Sequence, residues 1–579
     1  MNGTSQPLPT REEIAEREIG HTDISRGTAR LLIVAFVLML ATPPIAQLAY
    51  ELCLEPQAAA DRMPPSSLQF FARLPIVANA YGAANGGSIR KLLVANSQLL
   101  RNIDEYEHQL EERSLLTRLF LGPTREVLAK YGGAGSDQAE IGRDGWLFFR
   151  PDIEYVTGPG FLEPHVLSHR ASSGSQQAAP LQPDPRLAII QFHQQLAARG
   201  IRLIILPTPG KPSIYPEQLS RRADGNSVPL QNRSFERFKQ EMLEAGVLVF
   251  DAATVLAEAK RDSANPPLFL RTDTHWTPAG VQIVAKRLRE FIDRESPLPK
   301  KEPVDYHPRP VDVTSLGDIA VMLRLPSNQS LFPRETATIR QIELPDQQMW
   351  QPDASGDVLL LGDSFTNIYS LADLNWGSAA GLAEQLSFQL QRPVDRLAQN
   401  DGGAYAVRQS LIQELARGHD RLAGKQIVIW QFAARELASG DWKLLTMPAA
   451  STDASPSTDV PATAGDLVVQ GIVRAAAGAP RPGTVPYREA VTGIHLVDVK
   501  AIQGSIAERE VIVYCWGLKQ NQTTNAARLT SGQNVTLRLI PWERVKNRFE
   551  RFNRIELDDP DFHLVQLPVY WGEEISSVP

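Results

Sequence analysis

Cysteine is nearly absent: Cys53 and Cys515 are the only two in 579 residues. Two thiols cannot build a disulfide framework or a thiolate metal cage, so the fold must stand on packing. A basic excess is missing as well. The 59 Lys and Arg face 66 Asp and Glu for a net charge of −7, which leaves no surplus to follow a phosphate backbone and argues against nucleic acid as a partner. Only one long apolar run occurs, which argues against a polytopic membrane protein. No fixed period of about 20 to 50 residues repeats, which sets solenoids and propellers aside. What is present is ordinary for folded chains, 43% apolar and 22% charged residues. At about 150 residues per domain the length exceeds one core and points to three or four units.

The apolar run is LLIVAFVLMLATPPIAQLAY, 20 residues at 31–50 without a charge. At about 1.5 Å per helical residue it covers a hydrocarbon core of about 30 Å. A membrane anchor is the economical reading, with Pro43 and Pro44 as a break that spanning helices tolerate. A cleaved secretory signal and a buried soluble helix stand as alternatives. Against a signal, the preceding 30 residues are long and carry five acidic groups, and Glu51-Leu52 before Cys53 lacks the small residues of a lipoprotein site. Arg17, Arg26 and Arg30 precede the run while only Arg62 follows at similar distance. The positive-inside bias therefore puts the N-terminus in the cytoplasm and the bulk of the chain in the periplasm or outside. The expected order is a cytoplasmic segment at 1–30, the anchor at 31–50, and a linker with a helical stalk at 51–135. In that stalk Ile89, Leu92, Asn96, Leu99, Ile103, Tyr106 and Leu110 recur at steps of three and four, which predicts a helix that either forms a short coiled coil or packs on its own domain.

Over 136–446 short apolar runs alternate with amphipathic stretches. RLAIIQFHQQLAARG, FERFKQEMLEAG, AAGLAEQLSFQL and YAVRQSLIQELARG read as helices; IRLIILPTP, VLVFD, DVLLLGDSF and KQIVIWQF read as strands. This is the pattern of an α/β domain, a parallel sheet flanked by helices. Residues 447–465 are Ser, Thr, Pro, Ala and Asp with almost no large apolar group and read as a flexible linker. Over 466–579, LVVQGIVRA, GIHLVDVKAI, REVIVYCWGL and NVTLRLIPW are β-prone runs separated by turn residues, which predicts a small all-β domain, a five-stranded barrel by preference.

The strongest local signal is DVLLLGDSFTN. A strand ends at Gly362-Asp363-Ser364, where ligand sites of open α/β sheets gather and where a tight turn can present a serine hydroxyl. The same three residues also make an ordinary strand-ending turn and helix cap. A nucleophilic serine needs a base, and the base an orienting group. Asp273-Thr274-His275-Trp276 precede Thr277 and Pro278, a predicted N-cap and first helical residue. In an extended stretch, side chains two apart share a side, so Asp273 can hold the tautomer of His275 while His275 faces Ser364. Asp305/His307 and Asp561/His563 repeat the spacing without leading into a capped helix. A helix-start hydrogen bond, a surface histidine and half of a metal site are the plainer readings of His275. No third ligand stands at a familiar metal spacing.

Taken together, GRDGWLFF at 142–149, ILPTPGKPSIYPE at 205–217, RTDTHWTPAG at 271–280 and LLLGDSF at 359–365 resemble the SGNH-hydrolase-like alginate O-acetyltransferase family, membrane-anchored polysaccharide O-acetyltransferases working outside the cytoplasm, over roughly 85–445. The resemblance implies an SGNH-hydrolase-like sheet and a catalytic triad of Asp273, His275 and Ser364. It implies acyl transfer through an acetyl-serine to hydroxyls of an exopolysaccharide, alginate-like or cellulose-like. The implied partners are the polysaccharide acceptor, a polytopic membrane acyltransferase that supplies the acetyl group, and other synthase or export subunits; no cofactor and no metal are implied. The Ser364 amide is the first oxyanion donor to consider, and Gly402 and Gly403, after Asn400-Asp401, resemble the superfamily's glycine block. Arg435 is placed to stabilise charge or bind an acidic sugar, or to form an ion pair with Glu436 or another partner. Trp276, Trp376 and Trp430 suit sugar stacking or core packing, and Lys211 falls on a family position without an evident role. A polysaccharide acetylesterase with the same triad, and a non-catalytic polymer-binding scaffold, remain open beside the transferase.

Overall fold

The uncharged run at 31–50 extends into a helix, α1 (Arg26–Cys53), that keeps Pro43 and Pro44 inside it. It is long and apolar enough to cross a membrane, with a mean hydropathy of 2.2 in its most apolar window. The three-and-four spacing of the stalk forms α2 (Ser88–Arg113). The computed structural model describes residues 25–53, 74–75, 77–78, 81–82 and 87–574, apart from 173–180, 226–227, 401, 449–466, 481, 483–484, 486, 550–551, 558 and 560–562. Most of the segment at 1–30, expected to be cytoplasmic, and of the expected linker at 447–465 therefore lies outside the described residues, as does Asp561. The chain divides into two compact units, 1–124 and 125–579.

The second unit runs β1 (Ala139–Ile141), β2 (Leu147–Phe149), α3 (Pro185–Ala197), β3 (Arg202–Thr208), α4 (Phe235–Glu244), β4 (Leu248–Val249), α5 (Pro278–Glu295), β5 (His307–Ser315), α6 (Asp318–Met322), β6 (Glu335–Glu343), β7 (Val358–Gly362), α7 (Ser364–Asn367), α8 (Leu382–Leu390), β8 (Val394–Ala398), α9 (Gly403–Ala416) and β9 (Ile427–Ala433), with shorter helices between. Five strands form one sheet in the order β4-β3-β9-β7-β8, and every neighbouring pair is parallel. Its central strands are predominantly apolar because both faces are covered, with Gln431 of β9 and Thr208 of β3 as buried polar exceptions near their carboxyl ends. Alternate residues go to opposite cores: Ile204, Leu206, Leu360, Ile427 and Ile429 to one, Leu203, Ile205, Leu361, Val428 and Trp430 to the other.

The first core is roofed by α5 and α8 through Val281, Val284, Leu288, Ile292, Leu382 and Leu386. The second is roofed by α3, α4 and α9 through Ile189, Phe192, Phe235, Phe238, Val407 and Leu411. Full burial of each such side chain contributes about 1.5–3 kcal/mol. One element was not anticipated from the sequence, the antiparallel hairpin β5–β6, which pairs His307 with Glu343 through to Ser315 with Glu335. Ile339 and Ile342 seat it on the first core.

The C-terminal part is a closed barrel with the expected five strands. Its ring is formed by β10 (Leu467–Ala476), β11 (Ala490–Gln503), β12 (Val511–Lys519), β14 (Asn534–Pro541) and β16 (Val569–Glu574), while β13 (Gln522–Thr523) and β15 (Asn553–Ile555) flank it. The meander β10-β11-β12 closes through β16, parallel to β12 and antiparallel to β14, and β14 returns to β10. Register shifts between β10 and β11 give the coiling that closure requires. Val469, Val473, Leu496, Val513, Leu537 and Leu539 fill the interior.

Candidate active site

At the carboxyl end of β7 the backbone turns at Asp363, whose Oδ1 caps α7 by accepting the Phe365 N–H at 2.9 Å. The same carboxylate accepts Gln431 Nε2 at 2.8 Å and the Ala433 N–H at 2.7 Å from β9. Gln431 Oε1 in turn takes the Asp363 N–H at 3.0 Å and the Thr366 hydroxyl at 2.7 Å. The turn that carries Ser364 is thus fixed from both sides by the neighbouring strand. Asp363 does the capping that its sequence context allowed, and Ser364 is left at the first helical position with 8% exposure. Among the described residues no acceptor takes the Ser364 N–H.

Asp273 and His275 project from a loop that closes on itself. Leu270 N–H donates to His275 O at 3.1 Å and Thr277 N–H to Leu268 O at 2.9 Å, and Thr277 caps α5 with Pro278 in the first turn. The loop points back at the serine. His275 Nε2 lies 2.8 Å from Ser364 Oγ, and His275 Nδ1 lies 2.7 Å from Asp273 Oδ1. A carboxylate can only accept here, so Nδ1 carries a proton and the lone pair of a neutral ring sits on Nε2, facing the hydroxyl.

Four groups hold this pair, none assigned that task from the sequence. Trp376 Nε1 donates to Asp273 Oδ2 at 2.9 Å, and the Asp318 backbone N–H donates to the same oxygen at 3.0 Å. Asp318 Oδ1 accepts the Thr274 N–H at 2.6 Å, while its Oδ2 stands 3.8 Å from His275 Nδ1. Glu335, the first residue of β6, accepts the Arg271 N–H at 2.9 Å and the Thr272 N–H at 2.7 Å. Lys211 Nζ donates to Arg271 O at 3.0 Å and Leu147 O at 2.6 Å. Gly317 lets α6 come this close: a Cβ there would lie 2.2 Å from the Thr272 carbonyl. The unforeseen hairpin is what brings Asp318 and Glu335 to the loop, Asp318 three residues beyond the end of β5 and Glu335 at the first position of β6.

Charge in this buried cluster is uneven. Burial works against the Asp273 carboxylate, but the hydrogen bond and charge of His275, with the Asp318 and Trp376 N–H groups, hold it below the usual carboxylate range. Burial also opposes the imidazolium, yet Asp273, then Asp318 and Asp363, outweigh it and hold His275 above its ordinary value. Burial first, and the charge of Asp273 second, push the Asp318 carboxyl up. Burial lowers Lys211 to about 8 against the pull of Asp273, Asp318, Glu335 and Asp152.

Asp273, His275 and Asp318 bring ligand atoms within 4.8 Å of one another. Their contacts, however, suit an orienting set: His275 Nδ1 faces Asp273, both Asp273 oxygens accept N–H donors, and Asp318 Oδ1 accepts the Thr274 N–H.

The remaining residues singled out from sequence fall elsewhere. Trp276 is a correction: it is fully buried, its indole N–H donates to Phe365 O at 3.1 Å, and it packs edge-on to Phe365, so no sugar can stack on it. Trp376 and Trp430 are buried too, the first against Asp273, the second among Phe192, Phe432 and Trp442. Arg435 pairs with Asp152 at 2.9 Å, rather than Glu436, and lies over the Phe149 ring. Gly402 and Gly403 take φ values of 80° and 57° at the start of α9. A Cβ on Gly403 would meet the Glu436 carboxylate at 2.0 Å. The residue of that loop that reaches α7 is Asn400, whose Oδ1 accepts Asn367 Nδ2 at 2.9 Å. His307 is exposed at the start of β5.

Residues 139–434 match the model of the SGNH hydrolase-like domain of the acetyltransferase AlgX. The chain is 28% identical over 308 residues to the probable alginate O-acetylase AlgJ of Pseudomonas aeruginosa, covering 51% of this chain and 70% of that one. It is 25% identical over 306 residues to the same-named protein of Pseudomonas syringae, covering 51% and 68%. Among solved structures, the O-acetyltransferase domain of Pseudomonas putida AlgJ is 23% identical with a TM-score of 0.38, covering 55% of this chain and 95% of that one. The matched region spans just over half of the chain and contains the whole Asp273–His275–Ser364 constellation, and the chain belongs to the SGNH hydrolase-like acetyltransferase family, as an O-acyltransferase.

Proposed function

We propose that this protein is a membrane-anchored polysaccharide O-acetyltransferase in which Ser364 is the nucleophile, His275 the general base and acid, and Asp273 the group that orients His275. The observation that carries the reading is the continuous hydrogen-bonded line from Asp273 through His275 to Ser364. Ser364 Oγ attacks the acetyl carbonyl as its proton passes to His275 Nε2. The donor's C–O bond breaks, its oxygen leaves with that proton, and an acetyl-serine remains. A sugar hydroxyl then gives its proton to His275 and attacks the ester, and Ser364 leaves with the proton. The Ser364 N–H, which no described residue accepts, is the donor we assign to the developing oxyanion. The relatives' name, alginate O-acetylase, supports an exopolysaccharide acceptor. The arginines before α1 support a catalytic domain outside the cytoplasmic membrane, beside a polytopic acyltransferase as donor and the remaining synthase or export subunits.

The test is to incubate the full chain in detergent with a chromogenic acetyl ester and a panel of oligosaccharides, and to follow both by mass spectrometry. Acetylated sugar is the expected product. Ester hydrolysis with no sugar acetylated under any condition would turn the reading to an acetylesterase, and a serine that never carries acetyl would end it.

The charges around His275 give a second check. Asp318→Asn keeps an oxygen for the Thr274 N–H and removes one negative charge from beside the imidazole. A raised His275 pKa then falls, the neutral base appears at lower pH, and the acid limb of kcat/KM for the ester moves down by about one unit. A limb that stays put, or moves up, removes Asp318 from the electrostatics of the base.

A further inference from the structure

The loop after β8 is tied to the Ser364 turn at two points. Gln399 N–H donates to Gly362 O at 3.0 Å, two residues before Ser364, and Asn400 Oδ1 holds Asn367 Nδ2 on α7. The loop's other anchor comes from the barrel: the Asn400 backbone N–H donates to Asn553 Oδ1 at 2.9 Å. Asn553 lies on β15, registered against Ala490 of β11, and its Nδ2 donates to the Tyr487 hydroxyl at 3.1 Å. This contact sits in an extensive junction. Tyr487, Ala490 and Leu518 belong to the same buried cluster as one face of the parallel sheet, and Gln409 on α9 donates to Leu557 O at 2.9 Å. A backbone N–H in such a setting needs an acceptor, and the one it finds belongs to the barrel.

We infer that the C-terminal barrel is a working part of the acyl-transfer site: Asn553 positions Asn400, and Asn400 positions the short helix that begins at Ser364. Asn553 and Asn400 are positioning residues that act through α7. The inference rests on the acyl-transfer reading for its kinetic consequence only. Asn367 is 1% exposed and its Oδ1 has no hydrogen-bond partner, so its amide is held through Nδ2, by Asn400. With that hold released, the Asn367 end of α7 loses its tie to the β8 loop while Asp363, Gln431 and Trp276 still hold its start, and the helix tilts enough to lengthen the 2.8 Å approach of Ser364 Oγ to His275. Small displacements of a nucleophile from its base are expensive in rate.

The experiment is a double-mutant cycle on the full chain with Asn553→Leu and Asn400→Ala, read by kcat and KM for the chromogenic acetyl ester and by hydrogen exchange of the 362–371 amides. Each single variant is expected to lower kcat about tenfold with KM within about twofold, and to weaken protection of those amides. Because both act through one link, the double variant should fall no further than about twofold below the worse single. Asn553→Asp keeps an oxygen toward the Asn400 N–H, and the Tyr487 hydroxyl can turn to donate to it, so it should return to within about threefold of wild type. A folded Asn553→Leu with wild-type kcat and wild-type protection overturns the inference. So do single losses that multiply in the double. A wild type without turnover ends the acyl-transfer reading instead, and the exchange data still decide whether the barrel holds α7.

Discussion

Ser364→Ala is expected to lower acetyl transfer from the ester by at least about a thousandfold while leaving thermal stability nearly unchanged. The rate follows from chemistry. Alanine has no atom to carry the acetyl group, and what survives is whatever binding and oxyanion stabilisation contribute to direct attack by water or sugar. The unchanged stability follows from the structure, because the Ser364 turn is held by Asp363 and Gln431 and not by the serine side chain. Losing Oγ costs one buried hydrogen bond to His275, about 1 kcal/mol. A phosphonate that labels wild type should leave the variant unlabelled. A variant with more than about a tenth of wild-type turnover would take the nucleophile's role away from Ser364.

Much of this site could be read along the chain, and the limit of that reading is physical. Ser364 and His275 each stand beside a local signal, a strand ending in Gly-Asp-Ser and a Thr-Pro helix start, and local signals survive in a single sequence. Asp318, Glu335 and Trp376 have none. They reach Asp273 and its loop through α6, the β5–β6 hairpin and the segment after α7, so their roles exist only after tertiary pairing. A tryptophan's identity likewise says that it is large and has one N–H to satisfy, not whether it lies in a core or on a cleft. That is why Trp276 and Trp376 suited a sugar platform in the sequence and prove to be interior braces. The barrel follows the same division. Four of its ring strands announce themselves as apolar runs, whereas β16 joins the ring by a parallel pairing with β12 more than 50 residues away, which no local pattern encodes.

Asp273→Asn is expected to be nearly as damaging as loss of the serine, about ten-thousandfold in kcat, although it changes only one oxygen to nitrogen. Oδ2 of Asp273 receives two N–H donors, from Trp376 and Asp318, and Oδ1 receives two more, from the His275 backbone at 3.1 Å and its ring. An asparagine has one oxygen to offer. Placed toward Trp376 and Asp318, it leaves its NH2 facing His275, whose Nδ1 must then become an acceptor. The ring proton moves to Nε2, and the atom that should take the Ser364 proton instead donates toward Oγ. Flipping the amide restores the oxygen to His275 but sets the NH2 against the Trp376 and Asp318 N–H groups in a buried site, with two donors facing a donor on one side. The first orientation defeats the base and leaves only the His275 backbone N–H without its acceptor; the second keeps the tautomer and is the costlier for the fold. Steady-state kcat with the acetyl ester, alongside the thermal midpoint, reads the two effects apart. A loss below about tenfold in a folded variant would mean that His275 keeps its tautomer without Asp273, and the orienting role would pass to Asp318, the other carboxylate within reach of Nδ1.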